Sequence, residues 1–197
     1  MRKRKFSKYQ NDKDEKLVTL MNLDHEGAFR ELYDRYKDRI FYYFYRMLGN
    51  SEQKAQDFLQ DLFMKLIEKS ELFDPGQSFS TWIFSIAHNM CKNEYRRLER
   101  NKLVEREDVP EPAAEGENLD STFSELSEKI FQSLNDLDEE HKTCFLLKYR
   151  EGFSVEEISD ILEISKGTVK SRLFYTRKKL RQQFEGIYRE LKFDKPF

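Results

Sequence analysis

Apolar residues recur three or four positions apart through most of this chain, the spacing of one buried face on an α-helix. Phe29, Leu32, Tyr33, Tyr36, Ile40, Phe44 and Met47 form such a stripe over roughly twenty residues, and Gly49 with Asn50 ends it. A second helix is predicted from near Ser51 to about Lys69, with Ala55, Phe58, Leu59, Leu62, Phe63, Leu66 and Ile67 inward. Its outward positions are Gln53, Lys54, Asp57, Gln60, Asp61 and Lys65. Asp74, Pro75 and Gly76 then make a turn. A third helix is expected from about Ser80 to Arg100. Its apolar stripe is Trp82, Ile83, Ile86, Ala87, Met90 and Leu98; the opposite side carries Ser85, His88, Asn89, Lys92, Asn93, Arg96 and Arg97.

Beyond a polar interval the rhythm resumes. Phe123, Leu126, Ile130, Phe131, Leu134 and Leu137 predict a support helix, and Cys144, Phe145, Leu146 and Tyr149 predict the next. Ser154 and Glu157 have capping-box spacing, so a helix starts at Ser154 with Val155, Ile158, Ile161 and Leu162 on its inner face. Glu163, Ile164 and Ser165 connect it to a further helix for which Ser165 is the N-cap. Helix, three-residue turn and helix is the DNA-binding helix-turn-helix arrangement. The last helix carries Lys166, Thr168, Lys170, Ser171, Arg172, Tyr175, Arg177, Lys178, Lys179 and Arg181, with no acidic residue from Ser165 to Gln183; Val169, Leu173 and Leu180 hold it to its domain. Such a helix suits base-edge contacts in its first turn and phosphate contacts after it. A basic helix that merely complements its own dipole is the alternative, and the capped partner helix favours DNA.

Net charge at first argues against a nucleic-acid partner, since 35 basic residues face 37 acidic ones among 197. Its distribution reverses that impression. Residues 1–100 hold 19 basic and 16 acidic side chains (+3), 101–140 hold 3 and 13 (−10), and 141–197 hold 13 and 8 (+5). The middle segment contains Pro110 and Pro112 and little to bury, so it reads as a solvated, flexible linker between two small helical domains. Seven glycines, four prolines and 14% aromatic residues favour helices over a β-sandwich. Cys91 and Cys144 lie far apart, so neither a disulfide framework nor a metal cluster is expected. No run of about 18 apolar residues could span a bilayer, and polar residues follow the basic first five where a signal peptide would be apolar. A cytoplasmic protein without membrane insertion is expected.

The polar side of the third helix is a row of amide, imidazole and cationic groups able to donate to phosphates and base edges. Phe73 and Phe79 beside it could stack on an unpaired base. Read from the pattern alone, the same row is equally a solvated face next to core aromatics. An enzyme with an appended DNA-binding domain would need a catalytic cluster. His25, His88 and His141 lie in separate elements, and no Gly-rich phosphate loop is present. No catalytic residue, metal site or cofactor is expected.

Two sets of residues resemble one family in its own order. Ala28–Tyr36 (AFRELYDRY), Ala55–Phe63 (AQDFLQDLF) and Ser78–Asn89 (SFSTWIFSIAHN) are similar to successive parts of region two of bacterial sigma factors. Phe145–Ile158 (FLLKYREGFSVEEI) and Ile164–Leu173 (ISKGTVKSRL) resemble region four. With no room for regions one or three, the resemblance is to the small extracytoplasmic-function (ECF) group, over roughly residues 24–183. It implies an all-α fold of two domains: an N-terminal tail (1–20), a region two domain (21–100), an acidic linker (101–122), a region four domain (123–185) and a C-terminal tail (186–197).

The resemblance also implies partners and sites. Asp57, Gln60 and Asp61 match the surface that docks on the β′ clamp helices of core RNA polymerase, and region four implies a β-flap contact. Phe73 to Phe79 match the loop that captures a flipped base of the minus-10 element. His88, Asn89, Lys92, Asn93, Arg96 and Arg97 lie on the helix that reads and opens it. Lys166, Thr168, Lys170, Ser171, Phe174, Tyr175 and Lys178 belong to the minus-35 helix, with Arg172 and Arg177 nearer the backbone or the domain's own packing. An anti-sigma factor that wedges between the domains is a further implied partner.

The chain departs from the family pattern at Glu163, where Gly is frequent, and at Tyr175-Thr176-Arg177, where Arg-Ala-Arg is frequent. Asp138 stands where a proline commonly begins region four, and Gln56 replaces a common acidic residue. A helix-turn-helix regulator that acts without polymerase is the alternative function; it leaves the Asp57–Asp61 face and the Phe73–Arg97 constellation without a purpose.

Overall fold

The helix that carries Trp82 begins where the side chains of Phe73 and Phe79 turn inward. In a computed structural model, which describes residues 8–23, 25–104 and 133–184, seven α-helices form and no strand occurs among the described residues. The chain divides into two compact units.

In the N-terminal unit, α1 (Asp14–Met21), α2 (Glu26–Met47), α3 (Glu52–Lys69) and α4 (Phe79–Val104) pack together. α2 is the central element: it meets each of the other three, which explains why its buried apolar and aromatic residues, Ala28, Leu32, Tyr36, Ile40, Tyr43, Phe44 and Met47, cover more than one stripe. Truncating any of the larger ones to alanine would cost about 2–5 kcal/mol. Ser51 caps α3 by accepting from the Lys54 amide at 3.3 Å. Gly49 (φ 74°) and Asn50 (φ 58°) reverse the chain between α2 and α3 in the left-handed region, which tolerates these two residue types.

Residues expected in an N-terminal tail instead include α1, with Leu17 fully buried and Val18 at 1% exposure. Eight residues carry too little periodicity to announce a helix, and tertiary packing supplies what the pattern lacks. Tyr9 is also buried, its ring lying where a Cβ on Gly27 would come within 2.5 Å of it.

In the C-terminal unit a 3₁₀ turn (Leu134–Asp136) leads to α5 (Glu139–Phe145), α6 (Val155–Leu162) and α7 (Lys166–Gln183). Asp138, standing where a proline is common, is the N-cap of α5 and accepts from the His141 amide at 3.0 Å. α5 widens into a π-helical turn over Leu146–Arg150, closed by the Glu151 amide on the Leu146 carbonyl at 3.1 Å. The capping box at the start of α6 is complete: the Glu157 amide donates to Ser154 Oγ at 3.1 Å and the Ser154 amide to Glu157 Oε2 at 2.7 Å. Ser165 caps α7 through the Thr168 amide at 3.1 Å. The linker segment 105–122, the predicted helix positions Phe123, Leu126, Ile130 and Phe131, and the C-terminal tail lie outside the described residues.

Candidate nucleic-acid interface

Three surfaces carry the residues singled out above. On α3, Asp57, Gln60 and Asp61 are exposed along one side, as the outward pattern requires. The same side continues into Met64 (55% exposed) and Ile67 (51%), so Ile67 points outward and not into the core. Its position seven residues after Gln60, two helical turns along, would have placed it there.

On α4 the register differs from the expected one. The buried side is Ile83, Phe84, Ala87 and Cys91, while Trp82, Ile86 and Met90, expected inside, are half-buried. Trp82 and Ile86 therefore share a side with Asn89, Asn93, Arg96 and Arg100, all at steps of three or four. Asn89, Asn93, Arg96 and Arg97 are exposed, and His88 and Lys92 are half-buried at the edge of the face. An open depression lined by Asn93, Arg96, Glu99 and Arg100 extends it toward the end of the helix.

Phe73 and Phe79 do not belong to that exposed surface. Phe79 is fully buried and Phe73 is 6% exposed, each an inward side chain flanking the turn, so neither presents a free face to a base. Their rings meet edge to face at 5.8 Å, and Phe79 also meets Tyr36 at 5.1 Å. Trp82 packs on both, at 5.0 and 6.0 Å, with its own ring half-buried. An aromatic beside a turn reads the same in sequence whether it faces core or solvent, and Trp82 is the one of the three that reaches the surface.

Arg97 is committed elsewhere on the helix. Its Nε and Nη2 donate to the two carboxylate oxygens of Glu94, each at 2.7 Å. Hydrogen bonding by Arg97 holds the Glu94 carboxyl below its ordinary range, against the opposing effect of burial.

On α7, Lys166, Lys170, Ser171, Phe174, Tyr175, Arg177 and Lys178 are exposed, and Thr168 is half-buried with its hydroxyl 2.9 Å from that of Ser165. Phe174 and Tyr175 are 55% and 59% exposed, two large apolar rings set edge to face at 5.5 Å in the middle of a cationic surface. Lys166 pairs with Glu156 at 3.1 Å. Arg172 turns back and pairs with Glu140, beside the buried thiol of Cys144, so it serves the packing of α5 on α7. Among the described residues no group of His, Cys, Asp and Glu could hold a metal ion, and no helix is long and apolar enough to cross a membrane.

Comparison with known proteins follows the same division. Residues 32–101 match the family model Sigma-70 region 2, and residues 127–180 match Sigma-70, region 4. The chain is 33% identical to the ECF RNA polymerase sigma factor SigW of Bacillus subtilis over 175 residues, 82% of this chain and 91% of that protein. It is 27% identical to the ECF RNA polymerase sigma-E factor of Haemophilus influenzae over 186 residues, 88% and 96% of the two chains. Two solved structures share its fold at 22% identity each. CnrH, in complex with the cytosolic domain of CnrY, aligns with a TM-score of 0.65 over 89% of this chain and 99% of its own. The sigma factor RpoE of Bartonella quintana, in complex with the anti-sigma factor NepR, aligns with a TM-score of 0.71 over 80% and 96%.

Proposed function

The chain belongs to the extracytoplasmic-function group of RNA polymerase sigma factors, and from that membership we propose how its surfaces divide the work of promoter recognition. As a sigma factor it associates with core polymerase and directs promoter-specific initiation; it is a regulatory subunit, and the chemistry of RNA synthesis belongs to the polymerase. It works in the cytoplasm, where that polymerase is.

The N-terminal unit docks on the β′ clamp helices through Asp57, Gln60 and Asp61, with Met64 and Ile67 extending the contact. The α4 face then engages the minus-10 element: Asn89, Asn93 and Lys92 donate to bases and phosphates, Arg96 and Arg100 to phosphates, and Trp82 offers an aromatic surface for an unstacked base. The loop between Phe73 and Phe79 lies alongside, with the two phenylalanines as its buried footing. In the C-terminal unit, Lys170, Ser171, Phe174 and Tyr175 enter the major groove of the minus-35 element, Lys166, Arg177 and Lys178 approach the backbone, and the domain contacts the β flap. The segment after α4, 105–122, tethers the two domains. Since the two structural neighbours are each held by a partner protein, an anti-sigma factor is the regulator proposed for this chain as well.

One observation carries this division. An exposed acidic and amide stripe on α3 and an amide-rich cationic face on α4 occur together on a unit that matches sigma region two. A helix-turn-helix regulator acting alone has no use for either.

Runoff transcription with and without core enzyme is the test. Promoter-specific transcripts are expected from the mixture, with little binding of duplex promoter by the protein alone. A tight, sequence-specific footprint without polymerase would favour the regulator. Asn89→Ala and Trp82→Ala should lower promoter opening while leaving core affinity intact, and equal losses in both would contradict the assigned face.

A further inference from the structure

α1 and Asn22, the residue that caps its C-terminus, touch both ends of the connection that leads into the promoter-reading helix. At one end, the Asn22 side-chain amide donates to the Ser70 carbonyl at 3.1 Å, where α3 gives way to a 3₁₀ turn. At the other, Glu15 Oε1 accepts the backbone N–H of Phe79, the first residue of α4, at 3.0 Å across 64 positions of sequence. Between these ties the chain crosses Asp74 to Ser78, all exposed.

The Glu15 contact has a defined physical effect. The first four amides of a helix have no acceptor inside it, and the positive end of the helix dipole favours an anion there. Ser78 serves the Thr81 amide at 3.4 Å, as an N-cap does. Glu15 serves the amide of Phe79, and so fixes where α4 begins relative to α1.

α1 is itself anchored. Asp14, its neighbour in sequence, accepts from Arg35 Nη1 at 2.6 Å and from the Tyr36 hydroxyl at 2.5 Å. The same Arg35 donates to the carbonyls of Tyr9, Gln10 and Asp12 at 2.9–3.1 Å and to Glu31 at 3.0 Å. Adjacent carboxylates on α1 thus divide their work, Asp14 toward α2 and Glu15 toward α4, and Tyr36 and Phe79 meet ring to ring between them.

We propose that Glu15 and Asn22 are positioning residues for minus-10 recognition: α1 braces the 70–79 connection at both ends and sets the start of α4, and with it the azimuth of Trp82, Asn89 and Asn93. This rests on the reading of the α4 face given above.

Full-length variants assembled into holoenzyme test it, with open-complex formation on a duplex promoter and core affinity measured side by side. Glu15→Ala should slow opening by about five-fold, the equivalent of one lost capping interaction, with core affinity kept within about two-fold. Glu15→Gln, whose amide oxygen still accepts from Phe79, should recover opening. Amide hydrogen exchange at Phe79 should speed up in Glu15→Ala and stay slow in Glu15→Gln. Three results would overturn the brace: Glu15→Ala opening like the parent, Glu15→Gln as impaired as Glu15→Ala, or core affinity and opening falling together. Asn89→Ala, run in parallel, separates the two ideas. If Asn89→Ala is impaired and Glu15→Ala is not, the brace fails and the α4 face stands; if Asn89→Ala opens normally, the reading of the face fails and the brace falls with it.

Discussion

The carboxylate of Glu94 holds the guanidinium of Arg97 by both edges, with 2.7 Å from Nε to one oxygen and 2.7 Å from Nη2 to the other. Glu94 is 10% exposed and Arg97 57%, so the pair stands at the surface with its acid turned inward. A cation on the face proposed to meet phosphates is therefore already partnered within the protein. Glu94→Gln should release it and tighten binding of a single-stranded minus-10 oligonucleotide to holoenzyme. The slope of log affinity against log salt should steepen by about 0.7, the value for one more phosphate neutralised on a single strand. An unchanged slope would show that Arg97 stays off the phosphates.

The same pair makes a pH prediction. Arg97 lowers the Glu94 pKa in the folded protein, so the stability from ionising Glu94 is fully present above the ordinary carboxylate pKa and is lost as pH falls through the lowered value. Between about pH 5 and about pH 3 the thermal midpoint of the parent should fall more steeply than that of Glu94→Gln. Parallel slopes would count against the linkage.

Glu163 sits at the turn of the helix-turn-helix with φ 55° and ψ 40°, its amide on the Ser159 carbonyl. A side chain in the left-handed region costs roughly 1–2 kcal/mol, part of which glycine would forfeit through its freer unfolded chain. Glu163→Gly should raise unfolding stability by about 0.5 kcal/mol in a denaturant titration. A loss of stability would mean that the glutamate side chain contributes an interaction of its own.

Tyr175 occupies an exposed position where arginine is common in the family, and a phenol cannot make the bidentate contact to guanine that a guanidinium can. In promoter selection, Tyr175→Arg should move the minus-35 preference toward guanine, with discrimination of about 1–3 kcal/mol at one base pair. A preference identical to the parent's would place Tyr175 off the bases.

Both cysteines are buried, and the Cys144 thiol is pushed up to about 11 by burial despite the nearby Arg172. Native protein at about pH 8 should be alkylated at Cys144 roughly a hundred-fold more slowly than unfolded protein, because the thiolate is the reactive form. Rapid labelling of native protein would show that α5 and α7 separate in solution.

Much of the fold is legible in the sequence. The capping box at Ser154 and Glu157, the N-cap at Ser165, the helix start near Ser51 and the stop at Gly49 and Asn50 are local chemistry, satisfied within a few residues, so they read directly. The outward Asp57, Gln60 and Asp61 were legible for the same reason, since α3 has a sharply two-sided pattern. α4 misled the reading because it is apolar on more than half its circumference near its start. Trp82 and Ile86 count as core by residue type and as surface by azimuth.

By itself, then, the sequence determined the two helical halves, the helix-turn-helix and the resemblance to sigma regions two and four, since periodicity, caps and charge runs are properties of neighbours along the chain. Tertiary structure decided which aromatics face inward at the 73–79 turn, which cations are already held by Glu94, Glu140 and Glu156, and that a short acidic helix near the N-terminus ties both ends of that turn. The reason is one of distance. Glu15 and Phe79 are 64 positions apart, and no local pattern can report that a carboxylate on one helix completes the first amide of another.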